Sequence, residues 1–284
     1  MSPSSDAARP GAHTTSPLPL RRDLRADCRR CRGLCCTLLG FTRSADFAVD
    51  KPAGTPCRNL APDHSCRIHD SLHGHGYAGC AAFDCFGAGQ AVSESAAHRG
   101  GQADPRRMAD QFAAARRARE MLWHLREAST LTYDPDTAER IDGLAVVIAR
   151  LAASAAHPTE VEPLRPDVRA LLADVSAEVR VRYNATGEPV GADLAPGADL
   201  AGRDLTRDRL CGADLSGALL IAADLRRQDC TGVDLLGADL RAAQLHGADL
   251  SRALYFTASQ VGAALGDART LLPPDIPAPA HWVR

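Results

Sequence analysis

Apolar residues from Asp104 to about Tyr183 return at steps of three and four: Met108, Phe112, Ala115, Leu122 and Leu125, then Ile141, Leu144, Ile148 and Leu151, then Val168, Leu171, Val175 and Val179. That recurrence places them on one face of a helix. Asp134-Pro135 and His157-Pro158 mark helix starts, because proline is tolerated in a first turn whose amide needs no partner. The pattern predicts three amphipathic helices whose stripes pack together or on neighbouring parts of the chain. It offers no set of side chains suited to catalysis.

From residue 198 the period changes to five. Residues 198–267 divide into fourteen blocks without a slip of register, beginning Ala198-Asp199-Leu200-Ala201-Gly202. Leucine is central in eleven blocks, the exceptions being Cys230, Tyr255 and Gln260; alanine stands two before it in ten, aspartate one before it in eight and glycine two after it in seven. On a helix, at about 100° per residue, successive leucines would fall roughly 140° apart and make no common face. A square coil solves this, each block forming one short side with Leu and Ala inward and Gly and Asp at the bends. Coils stacked in this way build a continuous interior. Ala192-Asp193-Leu194, one residue out of register, reads as a lead-in, and residues 268–284, where the period is lost, read as a cap closed by Trp282.

These A(D/N)LXX units closely resemble the pentapeptide-repeat family. The resemblance implies a right-handed quadrilateral β-helix with four units per coil, a pentapeptide-repeat solenoid of roughly three and a half coils. Arg203, Asp208 and Gln228 depart from the inward alanine position, and an inward charge requires a partner; Arg203 and Asp208, five apart, either pair or mark a distorted first coil. Some family members mimic DNA and bind DNA gyrase through a long acidic surface. Here the 12 Asp after residue 191 are interrupted by 9 Arg, so gyrase mimicry is not expected. A surface for an unidentified protein partner is.

Composition adds boundaries to this picture. Over 284 residues, 33 Lys and Arg against 35 Asp and Glu leave a net charge of −2, too small for a general attraction to nucleic acid or membranes. No run approaches the ~18 apolar residues that cross a bilayer. Ser16-Pro17-Leu18-Pro19-Leu20 is too short and too proline-broken for a secretory signal. The expectation is a cytoplasmic protein without membrane contact, whose first 26 residues, rich in Ser, Pro, Ala and Arg, form a flexible arm.

That compartment gives meaning to the 10 cysteines. In a reducing cytosol they read as thiolate ligands or redox thiols before disulfides. Eight lie close together: Cys28, Cys31, Cys35 and Cys36 as C-x2-C-x3-C-C, then Cys57, Cys66, Cys80 and Cys85. Two thiolates two residues apart can face one ion from a turn, which Gly33 allows to be tight. Cys35 and Cys36 diverge as neighbours and suit two different sites. Eight thiolates suffice for two four-coordinate zinc sites, for an iron–sulfur cluster with thiolates to spare, or for one site plus redox-active cysteines. His69, three after Cys66, is a further candidate ligand beside His64, His73 and His75. The segment has few aromatic residues, and bound metal would supply folding free energy. Cys211 and Cys230 belong to the repeat and stand outside this set.

Four segments carry a second resemblance: Cys28-Arg29-Arg30-Cys31-Arg32-Gly33-Leu34-Cys35-Cys36, Pro56-Cys57-Arg58-Asn59-Leu60, Cys66-Arg67-Ile68-His69 and Cys80-Ala81-Ala82-Phe83-Asp84-Cys85. In order they are similar to the CxxCxxxCC, PCxxL, CxIY and CxxFxC segments of the cysteine-cluster domains called the YkgJ family, with His69 where tyrosine is commoner. The resemblance implies chelation of zinc or iron.

The expected organisation is multidomain: a flexible arm (1–26), a cysteine-cluster metal-binding domain (27–103), a helical region (104–191), the repeat (192–267) and a cap (268–284). The leading functional expectation is a non-enzymatic zinc- or iron-binding protein with a repeat scaffold for a protein partner. The alternative is an iron-dependent or thiol-based redox sensor or enzyme using Cys28–Cys85, and no Walker loop, GxSxG or dinucleotide fingerprint adds another chemistry. A third class, nucleic-acid binding, would rest on Arg21, Arg22, Arg25, Arg29, Arg30 and Arg32. Pairing of two chains through the coil ends to give a homodimer stays open.

Overall fold

A capping side chain and a proline start two of the three long helices. The structure is a computed structural model describing residues 18–98, 104–184, 191 and 193–282. Three short helices, α1 (Leu34–Leu38), α2 (Ala78–Ala81) and α3 (Ala88–His98), lie in the cysteine-rich part. The middle holds α4 (Pro105–Leu131), α5 (Pro135–Ala153), the single turn α6 (Pro158–Val161) and α7 (Arg165–Asn184). Asp104 accepts from the Arg106 amide at 3.1 Å, and Asp134 from the Thr137 amide at 3.0 Å, so each side chain satisfies a donor that the first turn leaves free. The three predicted helices are α4, α5 and α7.

Helix α4 buries more than its predicted stripe. Phe112, Ala115, Leu122 and Leu125 are inside, and so are Trp123 and His124. The helix is covered on two sides, by α5 and α7 on one and by a 3₁₀ turn at Arg21–Leu24 and the repeat on the other. A single apolar stripe describes only a helix with one wet face. The part of the expected arm from Leu18 onward is packed, with Leu18 and Leu24 buried; residues 1–17 lie outside the described residues.

The repeat is built from turns. In the unit Asp214-Leu215-Ser216-Gly217-Ala218 the Ala218 amide donates to the Leu215 carbonyl at 3.0 Å while Gly217 takes φ 67°. A turn of this kind needs a positive φ at its third residue, which explains glycine two after leucine. Asp214 accepts from the Ser216 amide at 3.1 Å, which explains aspartate one before leucine. Leucine and the alanine two before it point inward as expected, Leu215, Ala218, Leu220 and Ala223 each being fully buried.

The expected right-handed quadrilateral β-helix is not what these units form. Among the described residues there is no strand and no sheet; the coils touch through isolated parallel bridges such as Asp199↔Leu219, Asp214↔Asp234 and Asp229↔Asp249, twenty residues apart. Each five-residue unit spends most of its length on a turn and leaves a single residue extended, so no ladder long enough to be a strand develops. The result is a turn-built coil that returns every four units.

Where the inward position is polar, a partner is present. Arg203 pairs with Asp193 and stands 3.6 Å from Asp208 at the first coil, and the Gln228 amide donates to the Leu205 carbonyl at 2.7 Å. At the other end the short helix α8 (Ala258–Ala263) breaks the coil, and Trp282 lies flat on Gly266 with its indole N–H donating to the Ala264 carbonyl at 3.0 Å.

The helices and the coil share one core. The Tyr255 hydroxyl, under the coil, donates to the Leu172 carbonyl of α7 at 2.9 Å, and Glu127 of α4 accepts from the Tyr255 amide at 2.8 Å. The cysteine-rich part has its own small core, in which Leu34, Cys85, Ala88 and Val92 meet Phe112 and Ala115 of α4. It touches the coil end through α2 against α8, with the Gly262 backbone against the Ala81 carbonyl, and through the His73 and His281 rings, 3.9 Å apart.

Candidate metal centre

Short turns, not long elements, carry the cysteines. Phe41 stacks on Phe47 at 4.1 Å with Tyr77 edge-on to both, and this aromatic knot holds the loops on one side. Gly33, at φ 67°, lets the chain turn directly into α1, which carries Cys35 and Cys36. The consequence is one cavity of about 350 Å³ lined by all eight predicted cysteines, Cys28, Cys31, Cys35, Cys36, Cys57, Cys66, Cys80 and Cys85, together with His64 and His69. All eight are free thiols. Cys211 and Cys230 lie away in the coil, Cys230 buried at a central position.

Within the cavity the cysteines fall into two groups of four. Cys28, Cys31, Cys35 and Cys85 surround a small void of about 20 Å³ against Gly89 and Phe112. The Leu34 amide lies 3.5 Å from the Cys31 sulfur, and the Gly87 and Gly89 amides donate to Cys85 at the start of α3. A Cβ on Gly89 would stand 2.7 Å from Cys31 Sγ, so only glycine lets α3 approach. In the second group the Cys57 amide donates to the Cys36 carbonyl at 2.9 Å, the Leu60↔Cys66 bridge folds Cys66 back beside Cys57, and, beyond burial, Cys36, Cys57 and Cys66 all help to raise the Cys80 thiol. Cys35 and Cys36 sit one on each side of the division with sulfurs 4.0 Å apart.

Crowding dominates the electrostatics. Burial, then Cys85 and Cys31, push the Cys28 thiol up to about 11; burial, then Cys36, Cys57 and Cys66, push Cys80 up to about 12. Burial likewise raises Cys66 and Cys85. Cys36 goes the other way, down to about 7, chiefly because the Cys35 thiol donates to it, with Lys51 and His69 helping; Cys35 is raised in turn. So many thiols held together resist ionisation, and a cation among them would reverse that.

Lys51, the chain's one lysine, is the residue that the spacing argument overlooked. It is buried, its ammonium donates to the carbonyls of Thr37, Leu39 and Pro52, and it is the cation beside Cys36. Its uniqueness among 33 basic residues was the available signal. His69 lines the cavity with its ring mostly exposed and Nδ1 3.3 Å from Asp70. Among the described residues no group of three or more His, Cys, Asp or Glu is yet drawn together tightly enough to hold an ion. The arginines near the first cysteines do not form one basic face: Arg21 pairs with Glu127, Arg25 approaches Asp275 and Arg30 pairs with Glu94 at 2.6 Å. No helix among the described residues is long and apolar enough to cross a membrane.

The period-five units place the carboxy-terminal part among pentapeptide-repeat proteins, and the family model described as Pentapeptide repeats, in eight copies, matches residues 218–254. Over 271 residues the chain is 47% identical to a protein of Bacillus subtilis (strain 168) described as Uncharacterized protein YybG, an alignment covering 92% of this chain and 95% of the relative. The chain belongs to the YybG family.

Proposed function

We propose that this protein is a thiolate metal-binding protein, taking zinc or iron at Cys28–Cys85, whose repeat coil is a scaffold for a protein partner. Pentapeptide repeats suggest a protein-interaction scaffold. The observation that carries the metal reading is the gathering of eight free cysteines, from four separate segments of chain, into one cavity as two groups of four. Four sulfur donors are what zinc or an iron–sulfur cluster takes, and soft thiolates select those metals. Cys28, Cys31, Cys35 and Cys85 would hold one centre and Cys36, Cys57, Cys66 and Cys80 the other, with His69 at the rim. Loading draws the sulfurs closer than they now stand and releases protons, because the raised thiols must ionise to bind. The nearby backbone amides and Lys51 offset the negative charge of the thiolates.

The test is metal content by plasma mass spectrometry with a visible spectrum, on protein purified without oxygen, for the wild type, Cys31→Ser and Cys57→Ser. Two zinc per chain, falling to one in each variant, is the expected result. Iron with a visible band that bleaches on reduction would instead favour the redox alternative. Metal-free, folded wild-type protein would overturn both.

A further inference from the structure

One face of the coil gathers arginines that the overall charge balance conceals. Thr206, Arg226 and His246 stand one above another at the position after the central residue, and Arg207 and Arg227 at the position after that, each step being one coil. With Gln244 and Arg269 they line an open concavity of about 650 Å³ that contains no acidic side chain in its wall. The nearest carboxylates are turned back into their own units: Asp204 accepts from Thr206, Asp224 takes Arg226 with both oxygens, and Asp267 holds Arg269 and the Gly247 amide. Arg207 and Arg227 are exposed, and among the described residues their side chains form no hydrogen bond or ion pair, although Arg207 lies near enough to Asp204 to help Thr206 hold its carboxyl below the usual range.

Arg227 carries the argument further. It occupies the turn position where seven of the fourteen units have glycine, and it takes φ 59°. A long side chain in the left-handed region costs conformational energy that glycine would not, and its stem lies along Gly247 of the next coil, toward the concavity. Ala222 and Ala242 take the same left-handed turn at φ 55° and 57°, so the conformation belongs to the repeat, and what sets Arg227 apart is the charge it carries toward the concavity. Neighbouring coils stack at about the 4.8 Å spacing of paired backbones, so Arg207 and Arg227 offer a row of donors longer than one phosphate group.

We infer that this concavity binds a small oligophosphate anion, with Arg207 and Arg227 as its principal charge-assisted donors. Neither the metal reading nor the partner reading is needed for it. Isothermal titration of the full-length protein with tripolyphosphate, pyrophosphate and sulfate tests it, for the wild type, Arg207→Ala and Arg227→Gly. Saturable binding is expected that strengthens from sulfate to tripolyphosphate and weakens about tenfold or more in each variant. Arg227→Gly should melt no lower than the wild type, which separates a lost ligand contact from a damaged fold. Absent binding, equal affinity for sulfate and tripolyphosphate, or an Arg227→Gly protein that binds as the wild type does would each overturn the inference. So would tighter binding of single-stranded DNA with a salt dependence spanning many phosphates, which would make the face a nucleic-acid surface.

Discussion

The coil and the cysteine-rich part reach order by opposite routes. In the coil every unit repeats one solution: a turn set by glycine and aspartate, a leucine and an alanine inside, and bridges to the units twenty residues away. The cysteine-rich part has short turns, one aromatic knot and a core of few side chains, and the groups that fill its centre are thiols. Repetition makes the first tolerant, while the second leaves its polar centre to be completed. The comparison teaches that the coil draws its order from repetition and the cysteine-rich part from a few particular contacts, with the helices joining the two.

The join itself is the place where a single change should do most harm. Glu127 of α4 is held between Arg21, which stacks over Trp123 at 4.4 Å, and the Tyr255 amide of the coil, and the Arg21 and Glu127 side chains are only 14% and 13% exposed. Glu127→Ala leaves the largely shielded Arg21 guanidinium without its counter-charge. Breaking such a pair from one side costs about 3–5 kcal/mol, whereas replacing both partners by apolar residues can be near neutral. Urea denaturation of Glu127→Ala and of the double variant Arg21→Met, Glu127→Leu measures both. If the single variant loses less than about 1 kcal/mol, the seam is solvated and the two regions are not held together there.

A cavity inside the coil comes next. Leu215 is fully buried between units on either side, and Leu215→Ala removes its share of the ladder, at a cost of about 3 kcal/mol. Hydrogen exchange should show the loss concentrated in the coils that flank residue 215, through the bridges of Asp214 to Asp234 and of Asp199 to Leu219, with little change at the cysteines. Uniform loss of protection over the whole chain would mean that the two regions unfold as one.

How far the sequence discloses this depends on how local the cause is. The Asp, Leu and Gly of each unit act within five residues, so the turn, the inward leucines and the coil period are legible from the pattern. The same locality misleads about strands: the pattern says where the chain bends but not that the bends consume nearly every residue. The gathering of eight cysteines is legible from their number and spacing. Their division is not, because Cys31 meets Cys85 only where α3 arrives, and Gly89 permits that approach from far along the chain. Arg21 shows the same limit, reading as part of a basic arm until the buried carboxylate of Glu127 is seen beside it.

The smallest effect expected is one of pH, and it belongs to the seam. His124 is buried with its ring edge toward Tyr255 at 5.9 Å, and its Nδ1 has no partner. Burial, with Arg21 nearby, lowers its pKa from 6.5 to about 3. Below pH 6.5 the unfolded chain therefore takes up a proton that the folded protein refuses, and stability falls as pH drops toward about 3. Glu127 works in the opposite sense, since burial raises its pKa above 4.5, so above that pH the folded state holds the proton longer and loses stability as pH rises through the raised value. The clean quantity is the difference between wild type and His124→Leu. Between pH 6.5 and 5 the wild type should lose about 2 kcal/mol relative to the variant, at roughly 1.4 kcal/mol per pH unit. Urea midpoints at a series of pH values give that difference, and parallel curves for the two proteins would mean that His124 titrates in the folded state and that water reaches the seam between helices and coil.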